Sequence, residues 1–538
     1  MKNTLLKFSF IVSFVSILLR ILGFVREIAM AANFGAGNIS DAFVIAMSVP
    51  SVVLALIGGA VSSTFIPQFT MIEEGKKNRF ASNVVSLLLV VGIVFSIVFT
   101  IFPEVLVRIF ASRLGDEAFA YATNYLRIMV WSAVPILLVG VFRGYLQIKN
   151  AFFIAMISDV LINIFLILSI VTSKALNQIY LLGFGALAGN FATLFVLMLF
   201  SRKNGLNYKP VLDFKDPGLL SMEKLMLPIF ISSAVSEINQ IIDKNLASSL
   251  VSGTVSSLNY SSKINNVIIG LIGGSVATVL FPRMSELAAG EDKKSLKRFV
   301  VFSISHLFPL LLPMTVGIFI LAMPVIRILL ERGAFRPEDT IKTAECLRMY
   351  VIGLMVCNFN QVLGRSFQAM RKVKISALIS SIALTVGIIL NLILIGPMKH
   401  MGLSLATSTS NTVSFVLLMI VLRKYIGPLG FNTKLKEYAK IIFSVVVMGV
   451  VVYFVSARLD LMSISYIRCT VLTIILALSG AFIYGALMLL LKAEIAWELV
   501  NFIFSMLRRF LPMFFKTPKA ESVAGTVDEP EKVNDKRE

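Results

Sequence analysis

Long apolar blocks alternate with short polar or charged breaks along almost the whole chain. A block of about 20 apolar residues crosses a bilayer core as a helix, because a helix satisfies its backbone groups internally. By that measure about fourteen spans are expected: 7–33, 38–70, 80–110, 119–147, 152–173, 178–201, 221–250, 253–287, 298–330, 340–369, 375–395, 402–424, 437–457 and 466–491. Several are longer than the core requires, which predicts tilt or extension past the bilayer. The predicted fold class is an all-α polytopic membrane protein.

The polar breaks set an orientation. Odd-to-even connections are poor in Lys and Arg, whereas even-to-odd connections carry Lys76, Lys77 and Arg79, then Arg202, Lys203, Lys209 and Lys215, then Lys293, Lys294 and Lys297. Basic loops stay on the cytoplasmic side, so the N-terminus and these loops are expected there. An even number of spans brings the C-terminus to the same side. One loop dissents: 331–342 carries Arg332, Arg336 and Lys342 on the outer side.

The chain also repeats itself. IGGAVSSTFIP at 57–67 matches IGGSVATVLFP at 272–282, and each precedes an acidic-then-basic loop. LQIKNAF at 146–152 resembles FQAMRKV at 367–373. The offset covers an even number of spans and so preserves topology, which predicts two parallel, pseudo-symmetric six-helix bundles around a central cavity. The expected divisions are 1–220 and 221–436 for the bundles and 437–493 for two further helices. An interfacial helix or an extension of the last span is expected at 494–516, and a disordered charged tail at 517–538.

Charge inside the apolar blocks supplies the candidate site. A charge near mid-membrane costs at least about 2.5–3.5 kcal/mol, so it normally faces a watery cavity or a partner. Arg20, Arg26, Glu27 and Asp41 sit together across the first two spans. Snorkelling explains one such arginine better than it explains the set. The repeat gives this cluster a counterpart in Glu237, Asp243, Lys244 and Lys263. Arginine offers a planar fork to a phosphate and lysine a point charge. Arg20, Arg26 and Lys263 therefore suit an anion such as a pyrophosphate. Glu27, Asp41 and Asp243 either pair with these bases or coordinate a coupling cation, and Asp243 with Lys244 also reads as a self-satisfied structural pair.

Composition narrows the function classes. Hydrophobic residues make up 57% of the chain and charged residues 15%, too few to cover a soluble surface of this size. The net charge of +20 comes from short loops without interleaved aromatics, which argues against nucleic acid as a partner. Cys346, Cys357 and Cys469 are widely spaced, and His306 and His400 have no evident ligand partners, so no metal site is expected. No phosphate-binding loop or nucleophile motif is present, so the expectation is a non-enzymatic transporter driven by a gradient, a potential or the substrate's own concentration difference.

RILGFVRE at 20–27, FGAG at 34–37, SDAF at 40–43, FIPQF at 65–69, ERGAFRPEDT at 331–340 and GPMKHMGLSLA at 396–406 resemble the MurJ (MviN) lipid II flippases. Residues 227–264 and LFPRMSELA at 280–288 extend the likeness to about residues 1–500. The resemblance implies two bundles, a V-shaped cavity, and a groove for a lipid tail made by the last two helices. It implies a substrate, undecaprenyl-pyrophosphate-linked disaccharide pentapeptide, flipped to the outer leaflet of the bacterial cytoplasmic membrane for peptidoglycan synthesis. No cofactor is implied; coupling is to membrane potential or to a monovalent cation. Membrane lipids and other cell-wall synthesis proteins are the remaining expected partners. By position, Arg20, Arg26, Asp41 and Lys263 match family cavity residues, Lys263 standing where many members have Arg. This chain departs from the family at Ser48 and in the apolar run 52–57, where many members carry basic residues.

Three other readings compete. A flippase for another undecaprenyl-linked glycan needs the same charge logic. A multidrug cation antiporter needs an acidic, aromatic cavity, and this one is basic on balance. A non-transporting scaffold leaves costly buried charges without a use.

Overall fold

The structure, a computed structural model, describes residues 2–270, 275–290 and 292–494. Side chains are described within these ranges except at 2–14, 16–17, 55, 228, 231–233, 235–236, 275–279 and 432–433. The region expected at 494–516 and the tail at 517–538 fall outside the described residues, apart from Glu494.

Among the described residues each predicted span is mainly helical, and no strand occurs. The elements are α1 (Lys2–Phe34), α2 (Asn38–Met71), α3 (Glu74–Ile101), α4 (Asp116–Ile148), α5 (Phe152–Ala175), α6 (Leu181–Lys203) and α7 (Pro217–Ser248). Next come α8 (Thr254–Ile269, resuming at Ser275–Ala289), α9 (Lys293–Ile320) and α10 (Pro337–Ile352 with Leu354–Ala369). The continuous stretch Val373–Ile426 contains α11 and α12, which part at Lys399 (φ 49°, ψ −128°). Finally come α13 (Leu435–Leu459) and α14 (Tyr466–Leu490). Among the described residues nine helices are long and apolar enough to cross a membrane singly, one of them the stretch holding α11 and α12, and the bent pair of α10 makes a tenth.

Two of the predicted spans stop short and are followed by a separate short helix. The one expected at 80–110 ends at Ile101, and Pro103 begins a separate short helix, Pro103–Phe110. Proline has no N–H to extend the preceding helix but suits a first helical turn. The span expected at 298–330 likewise breaks at Leu321, before Ala322–Leu330. α4 is interrupted by a 3-10 turn at Val130–Ser132, and its repeat-related partner α10 bends by 43°. The two halves therefore share their irregularities as well as their helices.

Each bundle has a core of its own, and a further buried cluster joins Met30, Phe43 and Ile45 of the first half to Ala247, Val255, Leu258 and Leu403 of the second. Phe65, Phe80, Leu137 and Tyr145 pack within α2, α3 and α4, with Phe65 and Phe80 stacked at 6.0 Å. Val300, Leu347, Val362 and Leu422 do the same for α9, α10 and α12. Ile441, Val445, Met448 and Leu476 fasten α13 and α14 to α9 through Leu312 and Val316. Phe443, Phe454, Ile467 and Phe482 point outward and exposed, as lipid-facing side chains do.

The linker between the bundles is not slack. Residues 204–216 lie along α3, where Asn83 donates to the Asp213 carbonyl and accepts from its N–H, both at 2.8 Å. Ser82 accepts from the Lys209 N–H at 3.1 Å, and Tyr208 meets Ser86 at 3.0 Å. Asp216 then caps α7 through the Leu219 N–H at 3.0 Å. The start of α7 is thereby tied to the first bundle.

Close helix crossings rest on small residues. A Cβ added to Gly189 on α6 falls 2.8 Å from the Ile162 Cα of α5, and a backbone atom cannot swing away. Gly189→Val is expected to destabilise the first bundle by about 1–3 kcal/mol through overpacking, visible as a lower thermal unfolding temperature in detergent.

Candidate functional site

The two bundles meet along a seam that is tight at one end. The Gly35-Ala36-Gly37 turn between α1 and α2 inserts between residues 252–253 and 333–334 of the second bundle. The Ala334 N–H donates to the Ala32 carbonyl at 2.8 Å, and buried Tyr260 donates to the Gly35 carbonyl at 3.0 Å. Gly253 (φ 85°) and Gly333 (φ 61°) adopt left-handed backbone. Added Cβ atoms there would fall 2.4 Å from the Ala36 oxygen and 2.2 Å from the Ala32 oxygen. Only glycine meets both demands.

Asp41 fixes this end. Its carboxylate accepts from the N–H groups of Gly253 and Ser256, each at 2.7 Å, so it caps α8 from the opposite bundle. The side chain is buried and does not line the cavity below. The placement expected for Asp41, among the substrate-binding groups, is corrected accordingly: both oxygens are spent on backbone amides. Asn38 extends the contact, accepting from Ser252 and donating to Glu117, each at 2.5 Å.

The dissenting basic loop belongs to the same end, where Arg332 donates to the Ile328 carbonyl at 2.8 Å and to the Tyr466 hydroxyl at 3.0 Å. Arg327 meets Glu331 at 3.2 Å and donates to the carbonyls of Leu461 and Ile464. Thr340 donates to Glu331 at 2.6 Å, and Asp339 accepts from the N–H groups of Arg336 and Ala36. At the α11–α12 turn His400 has a partner that the sequence did not reveal, Glu345 at 2.8 Å.

Beneath the seam lies a polar cavity of about 360 Å³. Its lining includes Arg26, Glu27, Asp243, Lys244, Asn259 and Lys263, so the structure brings five of the eight predicted residues together. Arg26 and Glu27 are in contact at 2.5 Å with little exposed side chain. Arg26 also reaches Asn163 on α5 at 3.4 Å, and Glu27 accepts from Asn259 on α8 at 3.1 Å. Asp243 is not the partner of Lys244. It accepts from Asn391 at 2.6 Å and from Asn239 at 3.1 Å. Among the described residues Lys244 and Lys263 have no carboxylate within salt-bridge distance, so the cavity keeps two ammonium groups outside any ion pair.

The remaining predicted residues sit apart. Arg20 is exposed, and its guanidinium lies on Gly270 of α8, where an added Cβ would be 1.4 Å from Nη1. Glu237 accepts from Gln240, a lining residue, at 2.8 Å but does not itself line the cavity. The sequence reading missed the amides Asn163, Asn239, Asn259 and Asn391, because it searched for charge alone. Amide side chains inside apolar spans were the available signal. It also missed the contact between Arg143 of α4 and Asp159 of α5, one turn before Asn163.

A second concavity, about 540 Å³, lies between α9, α13 and α14. Pro313, Gly317, Met448, Leu476, Gly480 and Tyr484 line it, and nearly all its surface is apolar. The resemblance placed a groove at the last two helices, and the structure adds α9 as its third wall.

Two helix bundles with a charged cavity on their seam make up the architecture of a membrane transporter that binds its cargo between repeats. Comparison sharpens the class. The profile described as "Lipid II flippase MurJ" matches residues 30–472, and the chain belongs to that family. The probable lipid II flippase MurJ of Buchnera aphidicola is 28% identical over 92% of this chain and 98% of its own length. The probable lipid II flippase MurJ of Thermotoga maritima is 28% identical over 90% of this chain and 96% of its own length. A solved lipid II flippase MurJ in an inward closed conformation superposes with a TM-score of 0.73 at 26% identity, covering 88% of this chain and 98% of that one. A multidrug resistance MATE family transporter shares the fold at TM-score 0.64 and 17% identity, covering 77% of this chain and 95% of that one.

Asp41→Ala is expected to strip two buried amides of their acceptor and to weaken the tight end of the seam by about 2–4 kcal/mol. The check is a lower unfolding temperature together with faster thiol labelling of Ser252→Cys, which the intact seam keeps in contact with Asn38.

Proposed function

We propose that this protein moves lipid II, the undecaprenyl-pyrophosphate-linked peptidoglycan precursor, from the inner to the outer leaflet of the cytoplasmic membrane by alternating access. Family membership supports the substrate. The single structural observation that carries the reading is a seam cavity with three cations, two of them unpaired, inside a helix bundle. Such charges are costly unless an anionic cargo uses them. Arg26 offers the pyrophosphate a planar fork, and Lys244 and Lys263 add point charges. Lys244 gives the cavity a cation where Ser48 and the apolar run 52–57 withhold those of many relatives. The apolar groove of α9, α13 and α14 suits a polyprenyl chain.

In the proposed orientation both termini and the basic loops are cytoplasmic, and the tight end of the seam faces outward. Cargo then loads from the cytoplasmic side. Resetting draws on the membrane potential, worth about 2.3 kcal/mol per charge per 100 mV, or on a monovalent cation. Asp243 supports the cation route, since it is a cavity carboxylate held by amides and not by a base.

Expression in cells depleted of their own lipid II flippase tests the reading. Wild type is expected to restore growth, and Arg26→Ala and Lys263→Ala to fail at matched membrane expression. Rescue by all three would overturn the cation assignment. Failure of well-expressed wild type would point to another undecaprenyl-linked glycan.

A further inference from the structure

Glu27 holds two partners at once, and they belong to different bundles. One oxygen contacts Arg26 at 2.5 Å on its own helix, and the other accepts from Asn259 of α8 at 3.1 Å. This is the side-chain bond of the seam that borders the cavity, three residues beyond the Ser256 amide held by Asp41. Arg26 is thus occupied before any ligand arrives, whereas Lys244 and Lys263 are free to receive one. A pyrophosphate entering on the lysines must compete with Glu27 for Arg26. Once it wins, Glu27 is a nearly buried carboxylate that has lost its cation and gained an anion beside it. Both changes push it out of its place.

From this we infer that Glu27 is a stand-in for the pyrophosphate and a latch on the seam. It occupies Arg26 and tethers Asn259 until the ligand takes Arg26 over, and its displacement then frees α8 at the cavity end. Ligand binding is thereby converted into loosening of the closed face, since a ligand shifts a conformational equilibrium only through different contacts in the two states. Glu27 acts through Arg26 and Asn259 and is a positioning residue. The inference rests on the lipid II reading proposed above.

Two substitutions separate its roles. Glu27→Gln removes the charge but still accepts from Asn259. Glu27→Ala removes both. The full-length protein in detergent is titrated with farnesyl pyrophosphate, and spin labels at Leu176→Cys and Glu338→Cys, both exposed near the closed end, report its opening in a Cys357→Ser background. Wild type should bind and shift toward longer label distances. Glu27→Gln should bind about tenfold tighter, the competing carboxylate being gone, yet stay shut with ligand bound. Glu27→Ala should also bind tighter but open without ligand. A purely structural role would move both variants the same way. Wild-type binding with Glu27→Gln unchanged or weaker, or opening as wild type does, overturns the latch alone. A wild type that binds no isoprenyl pyrophosphate overturns the lipid II reading and the latch with it.

Discussion

Helix α8 starts in the interior, against the other bundle, and its first N–H groups have no partner within the helix. Water cannot reach them, so a protein acceptor must. Asp41 supplies it from α2, with both oxygens engaged at 2.7 Å. The rest of the site follows from that bond. It sets how far α8 slides along α1, and hence that Tyr260 meets the Gly35 carbonyl, Asn259 meets Glu27, and Lys263 faces the cavity. Gly253 and Gly333 permit the close approach, but neither provides attraction. The seam is held by this carboxylate, by a few hydrogen bonds, and by apolar packing in which Met30, Phe43 and Ile45 share one buried cluster with Ala247, Val255, Leu258 and Leu403.

Charge accounting explains the cavity's preference. Arg26, Lys244 and Lys263 stand against Glu27 and Asp243, and neither carboxylate lies within ion-pair distance of a lysine. Amides from Asn239 and Asn391 satisfy Asp243, which keeps Lys244 available. An anion entering here finds ammonium groups already facing the cavity and pays little to reorganise them. The apolar groove beyond α9 has the opposite character, so one amphiphile with a charged head and a long tail suits both places.

Apolar periodicity and the positions of basic loops made the helices legible, because a bilayer allows few alternatives to helix. The repeat was legible because two glycines and a proline recur at fixed spacing before a basic loop. Arg26, Glu27, Asp243, Lys244 and Lys263 were legible as charges where charge is costly. What escaped was direction and partnership. Asp41 looks like a cavity acid in sequence, yet its use depends on where α8 begins more than 200 residues away. Asp243 and Lys244 are neighbours in sequence just as Arg26 and Glu27 are, yet Asp243 turns to Asn391 and Asn239, and those partners lie in other turns and helices. The break at Phe102 needed Pro103 to be weighed as a helix start rather than as a tolerated interior residue.

The two halves repeat their helices and their bends but not their chemistry, and that asymmetry bears on function. In the first half the acid and base of α1 are bound to each other, and the acid reaches across to α8. In the second half the acid of α7 turns to Asn391 within its own bundle and leaves its base unpaired. A cavity with both halves closed on themselves would offer a ligand nothing, and one with both open would carry charge too costly to bury. On the reading proposed above, one paired and one unpaired half let an anion settle on the α7 and α8 lysines first. Only then would it contest the pair on α1, which would tie the order of binding to the loosening of the seam.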